Sequence, residues 1–334
     1  MDPRRANTMN MRHLRSFVRI ALLMAFGGGV LLAASFSPPP WAYGDGERGK
    51  PYPDDGTPKR LAGSTRSYDV TQIHDSFAPA DWYPNEHPQM PEIPVAKGRK
   101  PDVRACSWCH LPNGLGHPQS ASLAGLSVDY LTRQLADFKT GARHSSVGNS
   151  IMGNISLAMT TQEVEAAVMY FSRLRRRPWI KVVESEMVPK TEIVDGGLRI
   201  PREPRELEPL GERIVEVPQD VDRTRLYDSH AGFIAYVPTG SIARGKAFVQ
   251  KPTNAVTCTE CHGKDLKGAA HAPDTTFSVP TLPGRSPIYI VRQLYDFHSG
   301  ARAGPAAELM KPIAAQMTLR QMTDVAAYLA SLAP

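Results

Sequence analysis

Two five-residue stretches constrain this chain more than anything else in it: Cys106-Ser107-Trp108-Cys109-His110 and Cys258-Thr259-Glu260-Cys261-His262. Each reads C-x-x-C-H, the attachment signature of c-type haem. A single turn must place two thioether bonds on one porphyrin edge and an imidazole beneath the metal, and this spacing does so. The chain has 4 Cys, and the two motifs use all of them. A thioredoxin-like redox pair has no need of a His after both copies. A tetrahedral zinc site wants four ligands brought together, yet here each Cys pair already carries its own His. The motifs predict two covalently bound haem c groups with their iron, held by Cys106, Cys109, Cys258 and Cys261, with His110 and His262 as proximal ligands.

Covalent attachment of haem takes place outside the cytoplasm, which predicts a periplasmic protein. The N-terminus agrees. Arg4, Arg5, Arg12, Arg15 and Arg19 precede an apolar run from Ile20 to Ala34. This is the basic region and apolar core of a secretory signal, and the run falls short of the roughly 18 residues expected of a spanning helix. Residues 1–40 therefore read as a signal peptide or as an N-terminal anchor to the inner membrane through residues 17–36. The formal charge of +6 does not point to nucleic acid. Residues 1–40 hold five Arg against one Asp, which leaves +2 for the rest, and haem propionates offset that remainder.

Residues 41–92 are rich in Pro, Gly and polar residues and read as an irregular extension, in which Trp82 and Tyr83 anchor the segment on the first domain or shield a haem edge. A first haem domain is expected over 93–178. Ser127 caps a helix whose Tyr130, Leu131, Gln134, Leu135 and Phe138 recur at helical spacing, with Gly141 at its end. Thr160 and Glu163 form a capping box before a second helix, which Pro178 ends. The plan repeats over 239–334. Tyr289 to Arg302 matches Tyr130 to Arg143 at an offset of 159, and Thr318 with Gln321 repeats the capping box. Residues 179–238 form a Pro-rich connector with β-prone runs at Trp179 to Val183, Arg213 to Val217 and Phe233 to Val237. The expected fold is all-α: two tandem helical domains joined by a long irregular connector with short β segments.

The occupant of iron's sixth position separates a carrier from a catalyst. Met159 and Met317 precede the caps Thr160 and Thr318, and Val164 and Met322 follow four residues after each cap. That is hydrophobic-staple spacing, so packing explains this pair. Met152 and Met310 stand seven residues earlier, in a loop at matching positions of the repeat, and are the expected distal ligands. The histidines are weaker candidates. His144 aligns with Ala303 and His298 with Lys139, while His117 and His271 read as solvated loop residues. Arg143 and Arg302 repeat after Gly-Ala, either as donors to a haem propionate or as basic residues just past a helix end.

On these residues the chain resembles the tandem dihaem cytochromes c built from two class I cytochrome c domains. The resemblance covers about 93–178 and 239–334. It rests on both C-x-x-C-H motifs, the repeated Tyr-x-x-x-Gln-Leu-x-x-Phe-x-x-Gly-Ala-Arg helix and a Met before a capped last helix. It implies small helical domains with His/Met haems that pass electrons between a redox donor and an acceptor, such as a dehydrogenase or a terminal oxidase. The alternative is a dihaem redox enzyme or the cytochrome subunit of a dehydrogenase complex. Thiosulfate dehydrogenases resemble this layout but place a Cys on one iron, and no Cys is left here. The long extension and connector depart from the compact two-domain pattern.

Overall fold

The computed structural model describes residues 37–43, 49–148, 151–253 and 256–334. The signal or anchor reading of residues 17–36 lies outside these. Among the described residues no helix is long and apolar enough to cross a membrane.

Short helices α1 (Pro40–Tyr43) and α2 (Val70–Ile73) lie in the N-terminal extension. The first lobe carries α3 (Cys106–His110), α4 (Val128–Thr140), α5 (Ile151–Ala158) and α6 (Thr161–Arg173). After the connector, which holds α7 (Val221–Arg225), come α8 (Ser241–Gln250), α9 (Cys258–His262), α10 (Pro287–Ser299), α11 (Lys311–Ala314) and α12 (Leu319–Ser331). The repeated helices form for the same local reasons in both lobes. The Ser127 side chain accepts from Tyr130 N at the start of α4, and Ser286 accepts from Tyr289 N at the start of α10. Gly141 and Gly300 close these helices at φ of 77° and 82°, a left-handed conformation that costs Gly nothing. Both capping boxes are present, Thr160 with Glu163 and Thr318 with Gln321.

Each lobe buries its own core. Val95, Val103, Leu131, Val168 and Phe171 lie at the centre of the first, and Val249, Val291, Met322 and Val325 at the centre of the second. The staple pairs fall inside these cores, Met159 with Val164 and Met317 with Met322.

The second lobe has a helix the sequence reading does not contain. α8 packs along α12, and Gly245 makes the close approach. A Cβ there would sit 2.0 Å from the Asp324 carbonyl oxygen. Gly245→Ala gains about 1 kcal/mol of helix propensity, but it forces two helix backbones apart, and overpacking a core typically costs about 1–3 kcal/mol even where side chains can move. A backbone carbonyl cannot move out of the way. The variant is expected to lose about 2 kcal/mol net, read from its urea midpoint; a stability equal to or above the parent's would show that the helices separate freely.

The connector is more regular than its Pro content suggests. β1 (Ile180–Glu184), β2 (Met187–Pro189), β3 (Thr191–Ile193), β4 (Arg199–Pro201), β5 (Leu207–Pro209), β6 (Val215–Pro218) and β7 (Phe233–Val237) form three small sheets. β7 is the centre of a three-stranded sheet, parallel to β1 with Ile180 opposite Phe233 and antiparallel to β6 with Val215 opposite Tyr236. β2 pairs with β5 and β3 with β4. The class is therefore mainly helical with short strands. The extension is also not bare coil. Trp82 and Tyr83 are buried with Leu61, Ile73 and Ala80 against Leu226 of the connector, and Trp82 Nε1 donates to Leu226 O at 2.7 Å. They anchor the segment on the connector, and neither lines the cavities described next.

Candidate haem sites

Each C-x-x-C-H stretch is wound as one helical turn, α3 or α9. Residues three and four apart on a helix share a face, so both Cys and the His of each motif point the same way. What they face is a cavity. The first, of about 460 Å3, is lined by Cys106, Cys109 and His110. The second, of about 500 Å3, is lined by Cys258, Cys261 and His262. Both are of cofactor size.

The histidines are buried and oriented. His110 Nδ1 lies 2.8 Å from Ala121 O and His262 Nδ1 lies 2.9 Å from Pro280 O. A carbonyl only accepts, so Nδ1 carries the proton and Nε2 is left with a lone pair for iron. Burial lowers both imidazole pKa values, which keeps the rings neutral as ligation requires. Burial pushes the Cys106 and Cys109 thiols up, to about 12 and about 11. These are not the depressed thiolates of a tetrahedral metal site, and no cluster of three or more His, Cys, Asp or Glu suited to a metal occurs among the described residues. A buried apolar cavity, paired thiols on one edge and a neutral imidazole with a free Nε2 fit covalent haem and its iron.

The lining of the first cavity also includes Met152 and Met159, and that of the second Met310 and Met317. Met152 is not in a loop but is the second residue of α5, and Met310 sits at the junction between a 3-10 turn, Pro305–Leu309, and α11. Met159 and Met317 are buried in the cores, whereas Met152 and Met310 are half-buried. Of the histidines, His271 is exposed, as expected for a loop. His117 is buried instead, with its pKa lowered to about 4, first by burial and then by His110 and Arg292, and its Nδ1 lies 3.2 Å from Gln119 Oε1. It is absent from the lining of either cavity. His144 is exposed with Nδ1 on Gly141 O, and His298 Nδ1 lies 3.1 Å from Ala314 O.

Arg143 and Arg302 are not solvated helix-end cations. Both are buried where the two lobes meet. There the segments after α4 and α10 run antiparallel: His144 N donates to Ala301 O and Ala303 N to Ala142 O. Arg143 donates to Gln134 Oε1 at 2.8 Å and to Gln293 Oε1 at 2.7 Å. Arg302 donates to the same two oxygens, at 2.7 Å and 3.0 Å. Each guanidinium lies over its own lobe's Phe, Phe138 or Phe297. Burial, and then the neighbouring Arg143, lowers the pKa of Arg302. Two like charges thus share two neutral amide oxygens, and both line the second cavity. Tyr130, Gln134, Arg143, Tyr289 and Gln293 line both cavities and form a common wall.

From sequence alone Tyr130 and Gln134 are residues of a helical face with no assigned role. Their signal was present, since a Tyr and a Gln recur at the same places of both copies within an otherwise apolar face.

Comparison with known proteins agrees with this geometry. The cytochrome c family model matches residues 242–333. Cytochrome c-554(548) of Halomonas halodenitrificans is 35% identical over 75 residues, which cover 22% of this chain and 83% of that protein. This chain belongs to the cytochrome c family. Longer matches cover about two thirds of the cytochrome. The thiosulfate dehydrogenase electron acceptor of Thiomonas intermedia is 25% identical over 237 residues, 69% of this chain and 80% of that protein. Cytochrome c-552 of Acidithiobacillus ferridurans is 28% identical over 232 residues, 68% and 73% of the two chains. The family implies covalently bound haem c and electron transfer, and the two Cys pairs are consistent with two haems.

Proposed function

We propose that this cytochrome is a periplasmic dihaem electron carrier, with His110 and Met152 as the axial pair of the first site and His262 and Met310 as that of the second. The observation that supports the reading is the common wall: five residues line both cavities, so haems held in them would be separated by single side chains. Haem bound in each cavity supplies a one-electron couple. The chain's own residues do the rest. Ala121 O and Pro280 O hold the imidazoles in one tautomer. A Met at the sixth position raises the reduction potential and closes that position to other ligands. Arg143 and Arg302, whose hydrogen bonds to Gln134 and Gln293 go to neutral amide oxygens, would hold propionates at the common wall by charge-assisted bonds. The partners are a redox protein donor and acceptor. The donor is a dehydrogenase, a reading supported by the relative named as an electron acceptor of thiosulfate dehydrogenase.

The axial assignment is tested by the near-infrared spectrum of the ferric protein. Met152→Ala and Met310→Ala are each expected to remove about half of the Met–iron charge-transfer band, because each deletes one of two thioether ligands. Met159→Ala and Met317→Ala should leave it in place and cost only packing. A wild-type protein with no such band, or with a high-spin spectrum, would move the enzyme reading ahead of the carrier.

A further inference from the structure

Arg285 breaks the symmetry of the repeat. At the 159-residue offset its counterpart is Leu126, yet Arg285 is a buried cation at 5% exposure. Its hydrogen bonds obey the repeat even though its identity does not. Nε donates to Thr281 O and Nη1 to Ser122 O, each at 2.7 Å, and these two carbonyls are equivalent positions of the two lobes. Each stands one residue after the carbonyl that fixes a haem-binding imidazole: Ser122 follows Ala121, the partner of His110, and Thr281 follows Pro280, the partner of His262. One guanidinium therefore ties together the loops that orient both histidines.

The third nitrogen, Nη2, is buried and has no hydrogen-bond partner, and the side chain lines the second cavity. None of the bonds of Arg285 goes to a carboxylate. The charged neighbour that faces it is another cation, Arg176, which burial and Arg285 together lower to about 10. A buried unpaired charge is costly unless an anion meets it. The second cavity takes a cofactor that carries carboxylates, and a propionate there would supply both the missing acceptor and the counter-charge.

We propose that Arg285 is a positioning residue shared by the two haem sites: it binds a propionate in the second cavity through Nη2 while holding the proximal-histidine loops of both lobes. This rests on His110 and His262 as the proximal ligands. Two consequences follow from physics. A fixed buried cation disfavours the more positive, oxidised form of either centre, and it acts more strongly on the nearer second site. Loss of the two carbonyl bonds frees both loops, which slackens the hydrogen bonds that tune the imidazoles.

The test is a spectroelectrochemical titration of the intact dihaem protein and of Arg285→Leu, which installs the residue of the first lobe, and Arg285→Lys. In Arg285→Leu the second midpoint potential should fall with the lost charge, and the first, farther from that charge, should rise as its imidazole loses donor strength. At the second site the oxidised form should gain about tenfold at a fixed potential, which is about 59 mV for a one-electron couple. Lys keeps the charge, but its three donors sit on one nitrogen and cannot reach the separate positions that Arg285 Nε, Nη1 and Nη2 occupy. It should bring the second potential back to the parent's value or above and leave the first raised, and it carries the test if the Leu variant does not fold. Unchanged potentials, or a shift confined to the second site in Arg285→Leu, would overturn the shared role. A wild-type ferric spectrum without low-spin features would instead overturn the axial assignment, and the shifts between variants would still report on Arg285.

Discussion

Replacing Cys258 and Cys261 together with Ala is expected to halve the haem content and unfold the second lobe. The reason is the size of what is lost. The cavity at this site is about 500 Å3, and residual cavity volume costs about 24 cal/mol per Å3, so a second lobe that kept its shape around empty space would lose about 12 kcal/mol. Collapse of the walls reduces that figure, but the whole stability of a domain is only about 5–15 kcal/mol. The core of this lobe is built around the cavity: Ile290, Leu294, Met310, Met317, Val325 and Leu329 both belong to the core and line the space. The corresponding change at Cys106 and Cys109 empties about 460 Å3 and should cost nearly as much. Haem per protein measured by pyridine haemochrome, with limited proteolysis of the product, reads both effects. A protein with half the haem but an intact, protease-resistant second lobe would show that the lobe can close without its cofactor.

The parts of this architecture that were legible in the sequence are those decided by neighbours in the chain. Covalent attachment needs two Cys and a His within one turn, so the motifs state their chemistry outright. Helix ends are set by capping residues three positions apart, and Ser127, Ser286, Thr160 and Thr318 all do what their types suggest. The sequence reading puts Met152 in a loop, and its neighbours Gly153 and Asn154 are poor helix formers. Packing of α5 against α4 overrides that preference, as tertiary context often does.

What was not legible depends on residues far apart. Arg143 reads equally well as a helix-end cation until Gln293, 150 positions on, is seen to accept from it. His117 reads as a solvated loop residue, but the other lobe's Arg292 reaches over this loop to Pro118 O at 2.6 Å. The β1–β7 pairing joins segments separated by most of the connector, and parallel strands always need such a crossover. Arg285 has no repeat partner, so the comparison that revealed the other wall residues passes over it.

Glu216→Gln is expected to stabilise the protein above pH 7 and to leave it little changed below pH 4.5. Glu216 is buried in β6. Its Oε1 accepts from Ser286 Oγ and from Ile288 N, both at 2.8 Å, at the start of α10, and its Oε2 has no partner. Burial raises its pKa from 4.5 to about 7, against the smaller opposing pull of these two bonds and of Arg292. Between pH 4.5 and 7 the folded protein holds a proton that the unfolded chain has released, so stability falls as pH rises through this window and the full cost is present above it. A shift of this size corresponds to about 3 kcal/mol. Asp129 and Glu163 have lowered pKa values and add stability as pH rises, but they contribute equally to parent and variant. The quantity to measure is therefore the difference in unfolding free energy between the two proteins at pH 4.5 and at pH 8, which should grow by about 3 kcal/mol in favour of Gln. Glu216 caps the helix that carries Tyr289 and Gln293 into the common wall, so a growing difference would tie the stability of that wall to pH. A difference that stays flat would mean that water or a shift of β6 satisfies Oε2 and that the carboxylate ionises at little cost.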